Sequence, residues 1–340
     1  MKVARFALAL VVLAWTSVAQ AQSPDVQQKP FTFGMTVEMV HLGVTVMKKG
    51  RIVTDLVQKE FEVYEDGALQ QIEYFSKGTD APVDLFLLVD ASGSMDMVQK
   101  VASAKNTAIQ LIYSLDPEDR VAVYAFDREL MKLQDFTEDK EAAIRSLEEI
   151  EPFGITAIYD AVARASTVVA EAGFGRRAIV LITDGVDTGS ELSPTEAVEF
   201  AKRVDLPLYV VRVLSPIDDP SHDQFVGARE TPGHDALALF AEETGGQLYT
   251  GSEIGVLRQI SIRIREELKT QYRLSYVPRN TAQDGRFRRV DVRTSKKGLE
   301  ARTRKGYYAR PPGRGAPFAK ATGARDRGSR SYETVSSNQN

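Results

Sequence analysis

The chain has 340 residues, of which 43% are hydrophobic and 26% charged, and it contains no cysteine. It is longer than one average domain and must be stable without disulfides. Residues 22–309 keep 35 of the 43 basic and 45 of the 47 acidic residues, a net charge of −10. An acidic body of this kind argues against nucleic-acid binding.

Residues 1–21 have the composition of a secretory signal. Lys2 and Arg5 precede an apolar run, Phe6 to Trp15, and Ala19-Gln20-Ala21 provides a cleavage site. A membrane anchor, the alternative, needs about 18 apolar residues, more than this run supplies. No other segment is long enough to span a bilayer. The sequence therefore predicts a bacterial protein exported by a Sec-type signal to the periplasm or the exterior, with no transmembrane segment in the mature chain.

Residues 31–80 and 271–309, the two flanks, alternate apolar and polar residues as β-strands do. Glu65-Asp66-Gly67 predicts a hairpin turn. About four short strands cannot easily close a core alone. We therefore expect both flanks to pair into one β-sandwich of about seven strands, with two independent β units as the alternative. The expected strands are Thr36–Val46, Phe61–Tyr64, Gln70–Phe75, Tyr272–Val277, Phe287–Arg293 and Leu299–Arg304.

Residues 81–270 alternate strands and helices, which predicts an inserted α/β domain with a doubly wound, mostly parallel sheet. Ser193 and Glu196 have the spacing of a capping box at a helix start. The expected strands are Asp84–Val89, Arg120–Phe126, Arg177–Thr183, Pro207–Val213 and Gln247–Thr250, with a short antiparallel one at Glu129–Leu133. The expected helices are Val98–Ser114, Lys140–Ile150, Ile158–Ala172, Pro194–Val204, Asp235–Glu243 and Ile254–Leu268.

Two further segments have irregular composition. Residues 214–234 contain three prolines, three aspartates and two histidines, which we interpret as a solvated loop rather than a second metal site. Residues 310–340 are rich in Gly, Ser, Asn and Gln and hold six basic residues against two acidic ones. This basic tail is predicted to be disordered and solubilising.

Polar side chains follow the apolar run that begins at Val83. Asp90, Ser92 and Ser94 are spaced by two, so their side chains can converge on one point as the strand ends. One carboxylate and two hydroxyls suit a hard divalent cation such as Mg²⁺. Asp and Ser are also ordinary turn-formers, so the pattern alone does not establish a metal site.

Two later positions complete a recognisable set. Thr156 lies in a glycine-containing loop at a helix start, and Asp184 directly follows the buried strand expected at Arg177–Thr183. With Asp90, Ser92 and Ser94, the sequence resembles the von Willebrand factor A (VWA) family, whose metal-ion-dependent adhesion site has this order of residues. The resemblance implies that these five residues hold a divalent cation, Mg²⁺ first, with Mn²⁺ and Ca²⁺ as alternatives.

The resemblance also implies a function. In the family's site a partner protein supplies an Asp or Glu side chain to an exchangeable position on the cation, so we expect metal-dependent protein binding or adhesion without catalysis. The layout, with Phe61-Glu-Val-Tyr-Glu-Asp-Gly67 and Arg304-Lys-Gly-Tyr-Tyr308, resembles bacterial exported "VWFA-related" proteins, particularly those of acidobacteria.

Two other functions are left as alternatives. One is a structural envelope or assembly component in which the metal only stabilises the fold. The other is a metal-assisted hydrolase, for which the sequence offers no histidine near the five residues and no second carboxylate-rich set. For Asp187 and Ser190 we expect loop capping, with a place on the rim of the site as the alternative. For Asp127 we expect a turn role, for Asp160 a local hydrogen bond or an interaction with the helix dipole, and Asp96 can add charge beside the site. The sequence does not indicate an oligomeric state.

Overall fold

The structure is a computed structural model that describes residues 39–78, 82–96, 100–171, 176–204, 206–214 and 234–309. The predicted signal at 1–21, most of the predicted loop 214–234 and the predicted tail 310–340 lie outside these residues. Within them, no helix is both long and apolar enough to span a membrane.

The chain begins and ends in short strands. The first five are β1 (Val40–Lys48), β2 (Arg51–Ile52), β3 (Phe61–Glu65), β4 (Ala68–Gln70) and β5 (Ile72–Ser76). The last four are β12 (Tyr272–Tyr276), β13 (Phe287–Thr294), β14 (Glu300–Arg302) and β15 (Gly306–Tyr308).

Between these flanks, strands and helices alternate as predicted. The strands are β6 (Val83–Asp90), β7 (Arg120–Phe126), β8 (Leu130–Thr137), β9 (Arg176–Thr183), β10 (Leu208–Val213) and β11 (Leu248–Gly251). The helices are α1 (Lys100–Ser114), α2 (Lys140–Ser146), α3 (Ile158–Glu171), α4 (Pro194–Lys202), α5 (His234–Thr244) and α6 (Ile254–Thr270). Short 3₁₀ turns occupy Gln58–Glu60, Gly93–Asp96 and Leu147–Glu149.

The central sheet has the order β11-β10-β9-β6-β7-β8. Its neighbours pair in parallel, except that β8 is antiparallel to β7. The antiparallel strand is longer than expected, because its pairing with β7 continues to Thr137. From β6 the chain proceeds to β7 on one side and later to β9 on the other, which makes the β6–β9 boundary the switch point of the sheet.

Helices cover both faces of this sheet. Val83, Leu85, Leu87 and Val89 of β6 pack in one cluster with α1, α2 and α6, whereas the alternate residues of β6 pack in a second cluster with α3, α4 and α5. All eight residues of β6 are buried, which explains its continuous apolar sequence. The doubly wound, mostly parallel arrangement predicted from the sequence is therefore present.

Both flank sheets combine strands from the two ends of the chain. One has the order β14-β1-β12-β5, with β2 paired to β1, and the other has the order β15-β13-β3-β4. Apolar residues of both sheets, among them Leu42, Val63, Leu274 and Val292, form one hydrophobic cluster. The described residues thus contribute nine flank strands instead of about seven. That the two sheets form a single β-sandwich stays a prediction.

Two flank segments depart from the sequence prediction. The run Gln70–Phe75, expected as one strand, is divided at Gln71: β4 pairs with β3, whereas β5 pairs with β12 in the other sheet. The expected turn is present, since Asp66 and Gly67 both have positive φ (48° and 82°), as a tight hairpin requires. The strand expected at Leu299–Arg304 is shorter, and β2 and β15 were not predicted.

Candidate functional site

The candidate site lies where β6 and β9 end side by side. Val89 of β6 is in register with Ile182 of β9, so Asp90 and Asp184 follow at the carboxyl ends of adjacent parallel strands. This is the switch point of the sheet, where open α/β folds bind their ligands. The topology therefore brings together two carboxylates that are far apart in the sequence.

Asp90 is fully buried and accepts three hydrogen bonds. Its Oδ1 accepts from the backbone N of Ser92 (2.9 Å) and from Ser92 Oγ (2.6 Å), and its Oδ2 accepts from Thr183 Oγ1 (2.6 Å). Burial raises the pKa of Asp90 to about 6, and the hydrogen bonds from Ser92 and Thr183 offset part of that rise. The negative charge of Asp184 contributes to the raised pKa as well. Ionised Asp90 therefore lacks compensating positive charge.

Three hydroxyl groups form a chain beside Asp90. Ser92 Oγ lies 3.1 Å from Ser94 Oγ, which lies 3.4 Å from Thr156 Oγ1. Ser92 and Thr156 are buried and Ser94 is half-buried. The structure thus brings four of the five predicted residues into one connected group.

Thr156 is held in this position from two sides. Its backbone N donates to Thr188 Oγ1 (3.0 Å), and its carbonyl accepts from the backbone N of Thr188 and of Gly189 (both 2.9 Å). Two residues earlier, Gly154 accepts a bond from the backbone N of Gly93 (3.0 Å). The Thr156 loop is therefore attached both to the Ser92–Ser94 turn and to the loop after Asp184.

Asp184, the fifth predicted residue, makes a different set of contacts. Its Oδ2 lies 3.2 Å from the ammonium of Lys100 at the start of α1, and its Oδ1 accepts from the backbone N of Val186 (3.1 Å). Its carbonyl accepts from Nε of the buried Arg212 (3.1 Å). Gly185 has φ +87°, and a Cβ there would lie 3.0 Å from Arg212 Nε, so only glycine fits comfortably.

Sequence reasoning missed two residues of this site, Thr183 and Lys100. Thr183 directly precedes Asp184. A hydroxyl side chain at the end of an otherwise apolar buried strand needs a hydrogen-bond partner, and this requirement could have identified Thr183 from the sequence. Lys100 gave no signal, because only the fold brings the start of α1 to the end of β9. Both donate to carboxylates of the candidate site.

The residues expected to have turn, capping or local roles make both local and long-range contacts. Asp187 Oδ1 accepts from the backbone N of Ile158, and Ser190 Oγ accepts from that of Tyr159, so both residues cap the start of α3. Asp160 accepts from the backbone N of Glu191 and of Leu192. Asp127 accepts from the backbone N of Glu129 within its turn. The turn role of Asp127 is confirmed, and Asp187 caps its own loop by accepting from the backbone N and Oγ of Ser190. Asp160, expected to bond locally, instead attaches α3 to the loop at residues 191 and 192.

The donor set fits a hard cation. All five predicted side chains offer oxygen, two of them as carboxylates, and the ammonium of Lys100 pairs with one of these, Asp184. Hydroxyl and carboxylate oxygens are ligands that Mg²⁺, Mn²⁺ and Ca²⁺ accept. Nowhere in the described part of the chain do three or more His, Cys, Asp or Glu side chains group as metal ligands, so any metal site here depends on the hydroxyls.

The family comparison matches this part of the chain. Residues 85–186 match the von Willebrand factor type A domain, and the matched range includes all five candidate residues. The central part of the chain, residues 85–186, is therefore similar to this domain. Among curated proteins, none matches the chain.

Several solved structures resemble the chain in part. BatB from Bacteroides thetaiotaomicron is 24% identical, with a TM-score of 0.44, over 55% of this chain and 100% of its own. A von Willebrand factor type A protein from Catenulispora acidiphila is 16% identical, with a TM-score of 0.45, over 68% of this chain and 51% of its own. The PilB minor pilin from Streptococcus sanguinis is 14% identical, with a TM-score of 0.43, over 56% of this chain and 62% of its own. At these values nothing about function follows from the likeness.

Proposed function

We propose that the chain binds a partner protein through a divalent cation held by Asp90, Ser92, Ser94, Thr156 and Asp184. The observation that carries the proposal is a chain of one buried carboxylate and three hydroxyls, Asp90, Ser92, Ser94 and Thr156, in which each group lies 2.6 to 3.4 Å from the next. This chain lies at the switch point of the sheet, in the part of the protein that matches the VWA domain. Mg²⁺ is the first choice of cation, and Mn²⁺ and Ca²⁺ are to be tested beside it.

The side chains of the site have distinct tasks in this proposal. The hydroxyls of Ser92, Ser94 and Thr156 supply neutral ligands, while Asp90 and Asp184 supply the negative charge that retains the cation. Because three of the five ligands are neutral, a bound cation keeps enough positive charge to attract a carboxylate of the partner. The protein around the site is acidic, so without the cation it repels such a partner. Metal occupancy therefore acts as the switch for binding.

A stabilising cation without a partner is the second candidate. Asp90, Ser92, Thr156 and Asp184 are all at most 2% exposed, which a cation that only holds strands and loops together also requires. In that case EDTA lowers the stability of the domain but releases no partner. We assign no catalytic step, because the described contacts of the five residues include no histidine and no second acid–base pair.

The proposal includes export and a division of the chain. Residues 1–21 are removed as a signal, which leads the mature protein to the periplasm or the exterior. Residues 81–270 form the VWA domain, and residues 31–80 and 271–309 form the supporting β-sandwich. The basic tail from residue 310 onward has no assigned partner.

Partner capture tests the proposal. The immobilised mature protein is incubated with an envelope extract of its source bacterium in Mg²⁺, eluted with EDTA, and the eluate is analysed by mass spectrometry. We expect one protein to be released by EDTA and not to be retained by Asp184→Ala. Asp135→Ala is the matched control, because Asp135 is an exposed carboxylate on β8 away from the site. A partner that stays bound in EDTA and to Asp184→Ala would favour the stabilising role.

A further inference from the structure

Three exposed apolar side chains lie on the two loops that carry Thr156 and follow Asp184. Phe153 is 78% exposed, Ile155 41% and Val186 40%. Single exposed apolar residues are common on protein surfaces, but a group beside a candidate binding site marks an interaction surface. We call Phe153, Ile155 and Val186 the apolar rim.

The backbone of the apolar rim is held firmly. Phe153 donates its backbone N to the carbonyl of Ala91 (2.9 Å), and the next carbonyl accepts from Gly93 (3.0 Å). Ile155 packs on Gly189, where a Cβ would lie only 2.2 Å from Ile155 Cδ1. Val186 donates its backbone N to Asp184 Oδ1 (3.1 Å). The backbone of the rim is therefore held in place before any partner arrives, so less backbone entropy is lost when an aromatic side chain there makes a contact.

The rim is continuous with the candidate metal ligands. Phe153 and Ile155 stand on either side of Gly154, which is bonded to Gly93 between Ser92 and Ser94. Ser94 is the one candidate ligand that is only half-buried. A carboxylate that approaches the cation from solvent consequently brings its neighbouring residues against the rim.

The charged residues around the apolar rim help to decide which kind of partner binds there. Glu151, two residues before Phe153, and Asp96, two residues after Ser94, are exposed acidic residues. The exposed Arg128 follows Asp127, whose Oδ2 lies 3.8 Å from where a Cβ at Gly154 would be. Lys100, the described cation at the site, is buried and paired with Asp184. Two exposed acidic residues against one exposed basic residue disfavour an anionic membrane surface, whereas a peptide with a single carboxylate can bring that carboxylate to the cation.

We propose that the apolar rim makes the site selective for a protein segment in which an Asp or Glu is flanked by large apolar side chains. The carboxylate completes the cation shell, and the flanking aromatic or aliphatic groups cover Phe153 and its neighbours. This inference rests on the proposed function of the same site and adds the class of partner sequence. The energy of the contact comes from apolar burial beside the cation.

Two short peptides test it. Acetylated and amidated Gly-Ser-Phe-Asp-Leu-Ser-Gly and Gly-Ser-Ser-Asp-Ser-Ser-Gly are titrated into the mature protein in excess Mg²⁺ and in EDTA, followed by calorimetry or by NMR shifts. In Mg²⁺ we expect the apolar peptide to bind about tenfold more tightly than the serine peptide. In Phe153→Ser the affinities of the two peptides should become nearly equal. Mg²⁺ affinity and the thermal unfolding midpoint of Phe153→Ser should equal those of the wild type.

Tyr113→Ser is the matched control. Tyr113 is 59% exposed and lies near the other end of α1, about 20 Å along the helix from Lys100. This variant should retain the peptide preference. Equal or undetectable binding of the two peptides by wild-type protein, or a preference that survives in Phe153→Ser, overturns the inference.

The outcomes separate this inference from the proposed function. If the protein binds Mg²⁺ but shows no preference between the two peptides, the inference about the apolar rim is wrong and the proposed metal site is retained. If the preference for the apolar peptide persists in EDTA and is lost in Phe153→Ser, the role of the apolar rim is supported and the proposed metal dependence of partner binding is wrong. Binding to phosphatidylglycerol vesicles that Phe153→Ser abolishes, with no peptide preference, overturns the inference in favour of a membrane surface.

Discussion

Charge balance at the candidate site depends on one lysine. Asp90 and Asp184 are both buried at the ends of adjacent strands. The ammonium of Lys100 lies 3.2 Å from Asp184, and both of these side chains are at most 8% exposed. Burial raises the pKa of Asp90 to about 6, which means that its negative charge is poorly compensated. Lys100 thus neutralises part of the charge that a divalent cation would otherwise neutralise.

Lys100→Met should therefore strengthen cation binding. The substitution removes a positive charge that repels an incoming Mg²⁺, and at this burial we expect an affinity at least about tenfold higher by calorimetry. In EDTA the same variant should unfold at a lower temperature than the wild type, because Asp184 is left buried without its partner.

Lys105→Met provides the control for net charge. Lys105 lies on the same helix, and its ammonium contacts the carbonyl of Glu148 at 3.4 Å instead of a site residue. Its Mg²⁺ affinity should match that of the wild type. A loss of affinity in Lys100→Met would contradict this account and would show that Lys100 positions Asp184 for the cation.

At the scale of elements, helix α6 is joined to the C-terminal flank by a buried ion pair. Glu267 of α6 is fully buried, accepts a hydrogen bond from the hydroxyl of Tyr249 (2.9 Å) and pairs with Arg302 of β14. Arg302 also donates to Gln247 Oε1 (2.5 Å). The α/β segment and the flank sheet are thus connected through the fully buried Glu267 and the partly buried Arg302.

Arg302→Met should destabilise the protein markedly. It leaves the carboxylate of Glu267 buried without its main partner, and we expect the free energy of unfolding to fall by about 3 kcal/mol. Denaturant unfolding of the mature protein measures this change. Arg293→Met, which removes an exposed pair with Asp291, should cost less than about 1 kcal/mol. Equal effects of the two substitutions would argue against the buried pair as a structural link.

Element boundaries also show what the sequence could predict. The strands of the central sheet lie within about one residue of their predicted positions, except β8, because strands buried on both faces have continuous apolar sequences. Flank strands of two or three residues, such as β2 and β15, are too short for any periodicity. The change of sheet at Gln71 was unpredictable, because it depends on the pairing of β5 with β12, about 200 residues away in sequence.

For the whole molecule, the two ends of the chain enclose the central α/β segment in sequence, and the C-terminal end contacts that segment directly. Lys305 donates its backbone N to the carbonyl of Glu243 (3.1 Å), and a Cβ at Gly245 would lie 2.5 Å from the backbone N of Arg304. The sequence predicted that the flanks frame an α/β segment, whereas the five candidate residues came from the resemblance to the VWA family, and their role as metal ligands stays a prediction. The sequence could not supply Lys100 or these contacts, since each depends on long-range packing.

Calorimetric titration of Mg²⁺ into the mature protein and into Asp90→Ala tests the central claim most directly. We predict one binding site in the wild type, and in Asp90→Ala a loss of at least about 100-fold in affinity, because the substitution removes the carboxylate that organises Ser92 and Thr183. Circular dichroism must show that the variant is folded, and Asp135→Ala should bind as the wild type does. Unchanged Mg²⁺ binding by folded Asp90→Ala would contradict the assignment of the metal site.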